Sequence, residues 1–127
     1  MYVRFTPLPV VDQDRAIAFY TEALGFRVAE DSPYQEGWRW VLLEIPGAQT
    51  KVLLTRKRAE EPRDGTPSLV LTVDDVHKHW QQLAAKGVVF TSEPAVAPWN
   101  KSEMFAVLQD SEGNLVMLGS ESRSSVA

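Results

Sequence analysis

The sequence predicts an α+β fold made of two β-α-β-β-β units, whose mostly antiparallel strands form a cup-shaped sheet around a cavity. The first observation is an internal repeat, because strand-like and helical patterns follow one another in the same order twice. The second is the spacing inside the repeat, since the interval from Asp12 to Gly25 equals that from Asp74 to Gly87. The third is size, because 127 residues with 44% hydrophobic content suffice for one domain with a buried core. One helix cannot cover both faces of a sheet, so we expect the two sheets to pair and enclose a ligand cavity.

The first copy of the repeat is predicted over about residues 2–58. Residues 2–10 combine apolar residues with two prolines, which is typical of a strand at an exposed edge. Asp12 is placed to cap a helix and Gly25 to end it. The buried side of that helix has apolar residues at helical spacing: Ala16, Phe19, Tyr20, Ala23 and Leu24. The segments that follow are a strand from Phe26–Ala29, a loop at 30–37, and strands at Trp38–Ile45 and Gln49–Arg56.

The second copy is predicted over about residues 68–120, after a charged linker at 59–67 that contains prolines and a glycine. Asp74 or Asp75 caps its helix, and Gly87 ends it. The buried side of this helix is predicted at Val76, Trp80, Leu83 and Ala84. The predicted strands are Ser68–Val73, Val88–Phe90, Glu103–Gln109 and Leu115–Gly119. The remaining segments are a loop that holds Trp99, a hairpin turn at 111–114 and a frayed tail at 120–127.

Composition excludes several classes of function. A net charge of -4 and a pI of about 5.1 argue against a protein that tracks nucleic-acid phosphates. The lack of cysteine excludes disulfides, thiolate metal sites and cysteine nucleophiles. Apolar runs such as Trp40–Leu43 are too short to span a bilayer, and the first residues do not resemble a signal peptide. We therefore expect a cytoplasmic protein with no nucleic-acid partner and no membrane partner.

Three segments carry a resemblance to a known family. They read VVDQDRAIAFYTEALGF at 10–26, TVDDVHKHWQQLAAKGVVF at 72–90 and VLQDSEGNLVML at 107–118. Over about residues 3–120 the chain resembles the vicinal oxygen chelate superfamily, which includes glyoxalase I, extradiol dioxygenases, and fosfomycin and bleomycin resistance proteins. The resemblance implies a cup of paired repeats and a homodimer. It leaves the activity open, because this fold hosts lyases, isomerases, dioxygenases and simple binding proteins.

The resemblance also implies where a metal would be held in the metal-dependent members. Two ligands come from each half, and these positions correspond to Phe5, Leu53, Ser68 and Met117 in this chain. None of the four side chains is a usual ligand of a divalent metal. His77 and His79 are two residues apart on a predicted helix and point in different directions. We therefore expect no metal and no other cofactor; a divalent metal is expected only if these positions are misaligned.

Aromatic residues suggest what the cup holds instead. Trp38 and Trp40 alternate with other residues and face one side of their strand. Trp99 lies where a loop could clamp a flat or cationic ligand, although all three tryptophans also suit packing or a dimer interface. The predicted ligand-binding residues are Phe5, Trp38, Trp40, Leu53, Ser68, Trp99, Phe105 and Met117. The catalytic residues are unknown, with Glu44 and Lys51 as candidates. Arg39 lies near this set and is predicted to be solvated.

The sequence thus favours a metal-independent protein that binds a small organic molecule, and the acidic net charge suggests a planar cation as the ligand. Two alternatives stay open. One is a lyase-, isomerase- or dioxygenase-like enzyme of the same superfamily with an atypical site. The other is a partner-binding subunit whose cup is filled by its own side chains.

Overall fold

A computed structural model describes residues 1–57 and 65–120, which belong to two compact units, Met1–Arg63 and Asp64–Ala127. Each unit has the order β-α-β-β-β, so the predicted fold class and repeat are confirmed. Most of the predicted linker 59–67, and residues 121–127 of the predicted tail, lie outside the described residues. No helix in the described ranges is long and apolar enough to cross a membrane.

The first unit contains one helix and a four-stranded sheet. Its elements are β1 (Phe5–Val10), α1 (Gln13–Glu22), β2 (Arg27–Gln35), β3 (Trp38–Glu44) and β4 (Lys51–Arg56). The strand order is β1-β4-β3-β2, with β1 parallel to β4 and the other neighbours antiparallel. Among the described strands of this sheet, β2 is therefore an edge strand whose neighbour is β3.

The second unit repeats this arrangement. Its elements are β5 (Leu69–Thr72), α2 (Val76–Ala85), β6 (Phe90–Ala97), β7 (Asn100–Gln109) and β8 (Leu115–Gly119). The strand order is β5-β8-β7-β6, and again one pair, β5 with β8, is parallel. Strand β6 is the edge that corresponds to β2.

Both helices begin at an aspartate cap. The Arg15 N–H donates to Asp12 Oδ1 at 3.0 Å, and the Lys78 N–H donates to Asp75 Oδ1 at 3.0 Å. Of the two caps that the sequence allowed, Asp75 is therefore correct and Asp74 is not. The interval from cap to glycine is one residue shorter in the second unit, so the repeat is close but not equal in spacing.

Each sheet buries one face and leaves the other partly open. In the first unit the buried face includes Leu8, Val10, Val41, Leu43, Val52 and Leu54, and the core also holds Ala16 and Tyr20 of α1. In the second unit the core includes Leu69, Val76, Leu83, Ala106, Leu108, Val116 and Leu118. Because side chains alternate along a strand, the residues between these positions lie on the opposite face. That opposite face is where the predicted ligand contacts fall.

The structure corrects the predicted limits of both edge strands. Residues 30–35, predicted as a loop, continue β2, and the predicted strand Val88–Phe90 begins only at Phe90 and runs to Ala97. Both strands contain a proline beside an irregular register, which an edge strand tolerates because one side of its backbone has no neighbour.

Ser120, predicted as the first residue of a frayed tail, is instead hydrogen-bonded to β7. Its N–H donates to the Met104 carbonyl at 3.1 Å, and its Oγ accepts from the Met104 N–H at 3.1 Å. The predicted turn at 111–114 is confirmed, since Asp110 Oδ1 accepts from the N–H groups of Glu112 and Asn114, both at 2.8 Å.

Candidate functional site

The open face of the first sheet carries a set of aromatic and aliphatic side chains that we call the aromatic face: Phe5, Tyr34, Trp38, Trp40 and Leu53. Leu53 pairs with Pro7 on one side and Leu42 on the other, which places it in the middle of the sheet. Trp38, Trp40 and Phe5 are each half-buried, in contrast to the fully buried Val41 and Leu43, which follow Trp40 along β3. The alternation predicted from the sequence therefore separates the core from this face.

Three of these aromatic rings form a contact chain. The Phe5 and Trp40 ring centroids are 5.8 Å apart with an interplanar angle of 86°, and the Tyr34 and Trp40 centroids are 5.2 Å apart at 70°. Both are edge-to-face arrangements, a geometry that stabilises an aromatic pair by more than the burial of its surface alone. Tyr34 was missed from the sequence because its segment was predicted to be a loop.

A pocket of about 400 Å³ opens beside this contact chain. Strands β3 and β4 pair only where Leu42 meets Leu53 and Leu43 meets Val52. The pocket lies at the other ends of the two strands and is lined by Tyr34, Gln35, Trp38, Arg39, Trp40, Leu53, Leu54, Thr55, Arg56 and Lys57. Three of the predicted site residues, Trp38, Trp40 and Leu53, thus share one cavity.

The side chain of Gln13 joins the helix to β3 at this end of the sheet. Its Nε2 donates to the Arg39 carbonyl at 2.8 Å, and its Oε1 accepts from the Arg39 N–H at 3.2 Å. The residue opposite Arg39 on β2 is Pro33, which has no N–H to offer. The buried amide of Gln13 therefore takes the place of a neighbouring strand and satisfies both backbone groups.

Arg39 points away from the aromatic face. Its guanidinium bonds to Asp14 Oδ1 of the helix at 2.8 Å and to Asp31 Oδ1 of β2 at 2.9 Å. The hydrogen bonds to Asp14 and then to Asp31 raise the pKa of Arg39 above its ordinary value. The sequence predicted a solvated charge, whereas the structure places Arg39 in a network between two carboxylates.

Arg56 contributes the cation on the open side of the pocket. Its Cζ lies 5.0 Å from the centroid of a Trp38 ring, a cation–π contact. A Cβ added at Gly37 would come within 3.9 Å of Arg56 Nη2, so the guanidinium also lies beside the β2–β3 turn. Gly37 has a φ of 75°, which a residue with a side chain rarely adopts.

The two candidate catalytic residues lie away from this pocket. Glu44 is opposite Arg27 in the register of β2 and β3, and Lys51 is opposite Phe5 in the register of β1 and β4. Both are half-buried, and neither lines the pocket. By alternation along β3 and β4, Glu44 lies on the same side as Trp40 and Lys51 on the same side as Leu53, toward the other end of the two strands.

In the second unit the predicted contacts divide between the sheet and its hairpin. Phe105 and Met117 lie on one face, because Val107 pairs with Met117 and Phe105 with Gly119. Trp99 lies in the turn between β6 and β7, 57% exposed, with its ring centroid 5.3 Å from that of Phe105. Its Nε1 donates to Glu103 Oε2 at 2.7 Å. Ser68 precedes β5, and its N–H donates to the Leu115 carbonyl at 2.8 Å.

The residues at the four expected metal positions do not fit a divalent metal. Phe5, Leu53 and Met117 offer rings, methyl groups or a thioether, and Ser68 offers a neutral hydroxyl. Within residues 1–57 and 65–120, no three His, Asp or Glu side chains cluster as metal ligands would. His77 contacts Trp80 edge-to-face, with centroids 5.1 Å apart and an interplanar angle of 75°, and His79 Nδ1 lies 2.9 Å from the Asp75 carbonyl. The two imidazoles thus have structural contacts on α2.

Comparison with other proteins extends over nearly the whole chain. An uncharacterized protein of Bacillus subtilis (strain 168), YurT, is 35% identical over 93% of this chain and 98% of its own length. The crystal structure of TnmS3, an antibiotic binding protein from Streptomyces sp. CB03234, is 30% identical with a TM-score of 0.80, covering 94% of this chain and 95% of that one.

A further crystal structure is a superfamily member from Sphaerobacter thermophilus DSM 20745. It is 30% identical with a TM-score of 0.81, covering 95% of this chain and 98% of that one. The family profile described as the glyoxalase/bleomycin resistance protein/dioxygenase superfamily matches residues 2–118. The order of elements, the equal topology of the two sheets and these matches agree, and the chain belongs to the glyoxalase/bleomycin resistance protein/dioxygenase superfamily.

Proposed function

We propose that this chain binds a small organic molecule on the aromatic face of its first sheet, without a metal ion. The observation that carries the proposal is the contact chain from Phe5 through Trp40 to Tyr34 beside a pocket of about 400 Å³. Pockets for small molecules are concave and mostly apolar, with volumes of about 300–1,000 Å³ and a few polar groups that orient the ligand. Half-exposed rings of this kind suit a planar ligand, which can stack against them.

The chemistry of the side chains supports metal independence. A divalent metal needs imidazole, carboxylate or thiolate donors, and the residues at the family's four positions supply none of these. A ligand on this face would be held by ring contacts and by the polar groups of Gln35, Thr55 and Arg56 at the rim. The description of TnmS3 as an antibiotic binding protein gives a relative in which this fold binds an organic molecule.

The predicted contacts in the second unit stay part of the proposal. Ser68, Trp99, Phe105 and Met117 are proposed to contact a ligand through the second sheet and its hairpin. Trp99 suits this role because much of its ring is exposed while its nitrogen is fixed by Glu103. We expect its contribution to be smaller than that of Trp40, which is one of several rings in contact.

The test is calorimetric titration of the chelator-treated protein with planar compounds of one to three rings, such as naphthalene, acridine and anthraquinone derivatives. Binding of at least one class at one site per chain is expected, with the same affinity in the presence of excess chelator. The same protein is titrated with nickel, cobalt, zinc and manganese, and no stoichiometric heat is expected. Failure of all three ring classes, or binding that requires a metal, would overturn the proposal.

An enzyme of this fold is the alternative, and it needs a titratable group beside the ligand. Glu44 and Lys51 remain the proposed groups for a lyase-, isomerase- or dioxygenase-like activity. Variants Glu44→Gln and Lys51→Met that keep ligand affinity and abolish turnover of that ligand would favour this alternative. Equal, undetectable turnover in all three proteins would support binding alone.

The remaining proposals concern organisation. We propose one domain formed by repeats at about 2–58 and 68–120, acting in the cytoplasm as a homodimer. Long edge strands such as β2 offer unpaired backbone groups that a second chain can cover. Sedimentation equilibrium distinguishes a dimer from a monomer, and a monomer at micromolar concentration would contradict the homodimer.

A further inference from the structure

Resting on the proposed function, we propose that the pocket of the first unit selects a planar aromatic carboxylate, whose negative charge is bound by Arg56. The proposal names both ends of the ligand. Its ring lies against the aromatic face, and its carboxylate lies at the open end of the pocket between β3 and β4. The proposed ligand is therefore an anion, whereas the net charge of the chain suggested a cation.

The charges around the pocket point to an anion. Three basic residues, Arg39, Arg56 and Lys57, are among those that line it, and no acidic residue of the described chain is. The overall charge of -4 favours a cation only at long range, and salt screens such attraction beyond about 10 Å. A ligand inside the pocket responds to the groups that touch it, and the charged groups among the described lining residues are cationic.

The three basic groups are not equally free to bind a ligand. Arg39 already bonds to Asp14 and Asp31, so its charge is matched within the protein. The Arg56 side chain has no carboxylate partner among residues 1–57 and 65–120, and its described contact is with the ring of Trp38. Lys57 also lines the pocket, and among the described residues Arg56 is the arginine there with no carboxylate partner.

The position of Arg56 suits a carboxylate. A guanidinium that stacks on an indole is held by its flat face, while its N–H groups point outward along the edge. Two parallel N–H donors match the two oxygens of a carboxylate and form a charge-assisted pair. Trp38 and Trp40 lie on the same side of β3 and line one pocket with Arg56, so the proposed ligand is bonded to Arg56 and contacts both indoles.

A neighbouring groove of about 600 Å³ shows the contrast. It lies on the helix side of β2 and β3, where its lining includes Asp31 together with Arg39. The opposite charges there cancel, so that groove offers no net attraction to an anion. The selectivity that we propose belongs to the pocket on the aromatic face alone.

The test uses three probes with the same two-ring system: naphthalene-2-carboxylate, naphthalene-2-carboxamide and naphthalen-2-ylmethylammonium. Calorimetry on the wild-type protein is expected to give affinities that decrease in the order carboxylate, amide, ammonium. The carboxylate is expected to bind about tenfold more tightly than the amide. Arg56→Gln is expected to lower the affinity for the carboxylate to that for the amide, and to leave the amide within twofold. Raising the salt concentration is expected to weaken only the carboxylate.

Arg27→Gln is the matched control, since it removes the same charge from an exposed residue of the same sheet. Arg27 lies opposite Glu44, at the far end of β3 from Trp38, ~20 Å away at ~3.3 Å per residue. It should leave all three affinities within twofold of wild type. An amide or ammonium that binds as tightly as the carboxylate, or an unaffected Arg56→Gln, would overturn the anion proposal alone. No binding of any probe would instead count against the proposed function.

Discussion

The two units share their backbone plan but differ on the sheet face that the helix leaves open. The first unit places contacting aromatic rings and a pocket with basic residues there. The second places aliphatic side chains such as Val70, Val107 and Met117 on its sheet, and keeps the pair of Trp99 and Phe105 near its hairpin. The difference shows that the repeat constrains the strand order, the cap and the buried face. The open face differs between the two units, and it is the face on which we propose that the ligand binds.

The helices differ in the same way. Counted from their caps, Gln13 corresponds to Val76 and Tyr20 corresponds to Leu83. The first pair exchanges a hydrogen-bonded amide for an apolar side chain. The second exchanges the large buried ring of Tyr20 for the smaller aliphatic side chain of Leu83. Each pair therefore allows the same element to be tested in two contexts.

The largest effect is expected in the core of the first unit. Tyr20 is fully buried between Phe19 and Phe26, whose ring centroids lie 5.2 Å and 5.3 Å away. Tyr20→Ala is expected to lower the free energy of unfolding by about 3–5 kcal/mol, and Leu83→Ala by about 2–4 kcal/mol. The tyrosine side chain is the larger of the two, so its removal leaves the larger cavity. Urea unfolding followed by circular dichroism measures both. A greater loss of unfolding free energy in Leu83→Ala than in Tyr20→Ala would mean that packing around the second helix contributes more to stability than packing around the first.

The next effect tests the link that only the first helix makes. Gln13→Ala leaves the N–H and the carbonyl of Arg39 without their partners, and is expected to cost about 1–3 kcal/mol of unfolding free energy. Gln82→Ala, on the exposed side of the second helix, is the matched control and should change stability by less than about 0.5 kcal/mol. Equal losses in the two variants would show that water replaces the amide of Gln13 without cost.

Much of the fold followed from the sequence because its constraints are local. Aspartate caps, glycines with positive φ and the turn after Gln109 each depend on a few neighbouring residues. The limits of the edge strands β2 and β6 were harder to predict from the sequence. Within its own sheet, as far as the structure describes it, each of β2 and β6 has a neighbouring strand on one side, and polar residues and prolines replace the apolar alternation that marks a strand. The segment around Tyr34 therefore read as a loop.

The site was predictable in part for the same reason. Alternation placed Trp38 and Trp40 on one side of β3, and it also implied that Arg39 lies on the other side. The pocket itself depends on where β3 and β4 stop pairing, and no local pattern encodes that point. The contact of Arg56 with Trp38 joins residues from different strands, so sequence reasoning had no signal for it.

A smaller effect separates the two aromatic groups as ligand contacts. Trp40→Ala removes the ring that touches both Phe5 and Tyr34, and is expected to weaken binding of naphthalene-2-carboxylate about tenfold. Trp99→Ala is expected to weaken it about twofold, since that ring already bonds to Glu103 and is largely exposed. Calorimetry gives both affinities, with circular dichroism as the check on folding. A larger loss at Trp99 would place the main site in the second unit.

The smallest effect concerns what the two units share. Asp12 and Asp75 each accept one backbone N–H at 3.0 Å in the first turn of a ten-residue helix, and both side chains are exposed. Asp12→Ala and Asp75→Ala are each expected to cost about 1 kcal/mol of unfolding free energy, because one N–H at the helix end loses its acceptor. Urea unfolding should give two losses that agree within about 0.5 kcal/mol. A difference of more than about 1 kcal/mol would show that even this shared element depends on its unit, and that the helix with the larger loss relies more on its own cap than on packing.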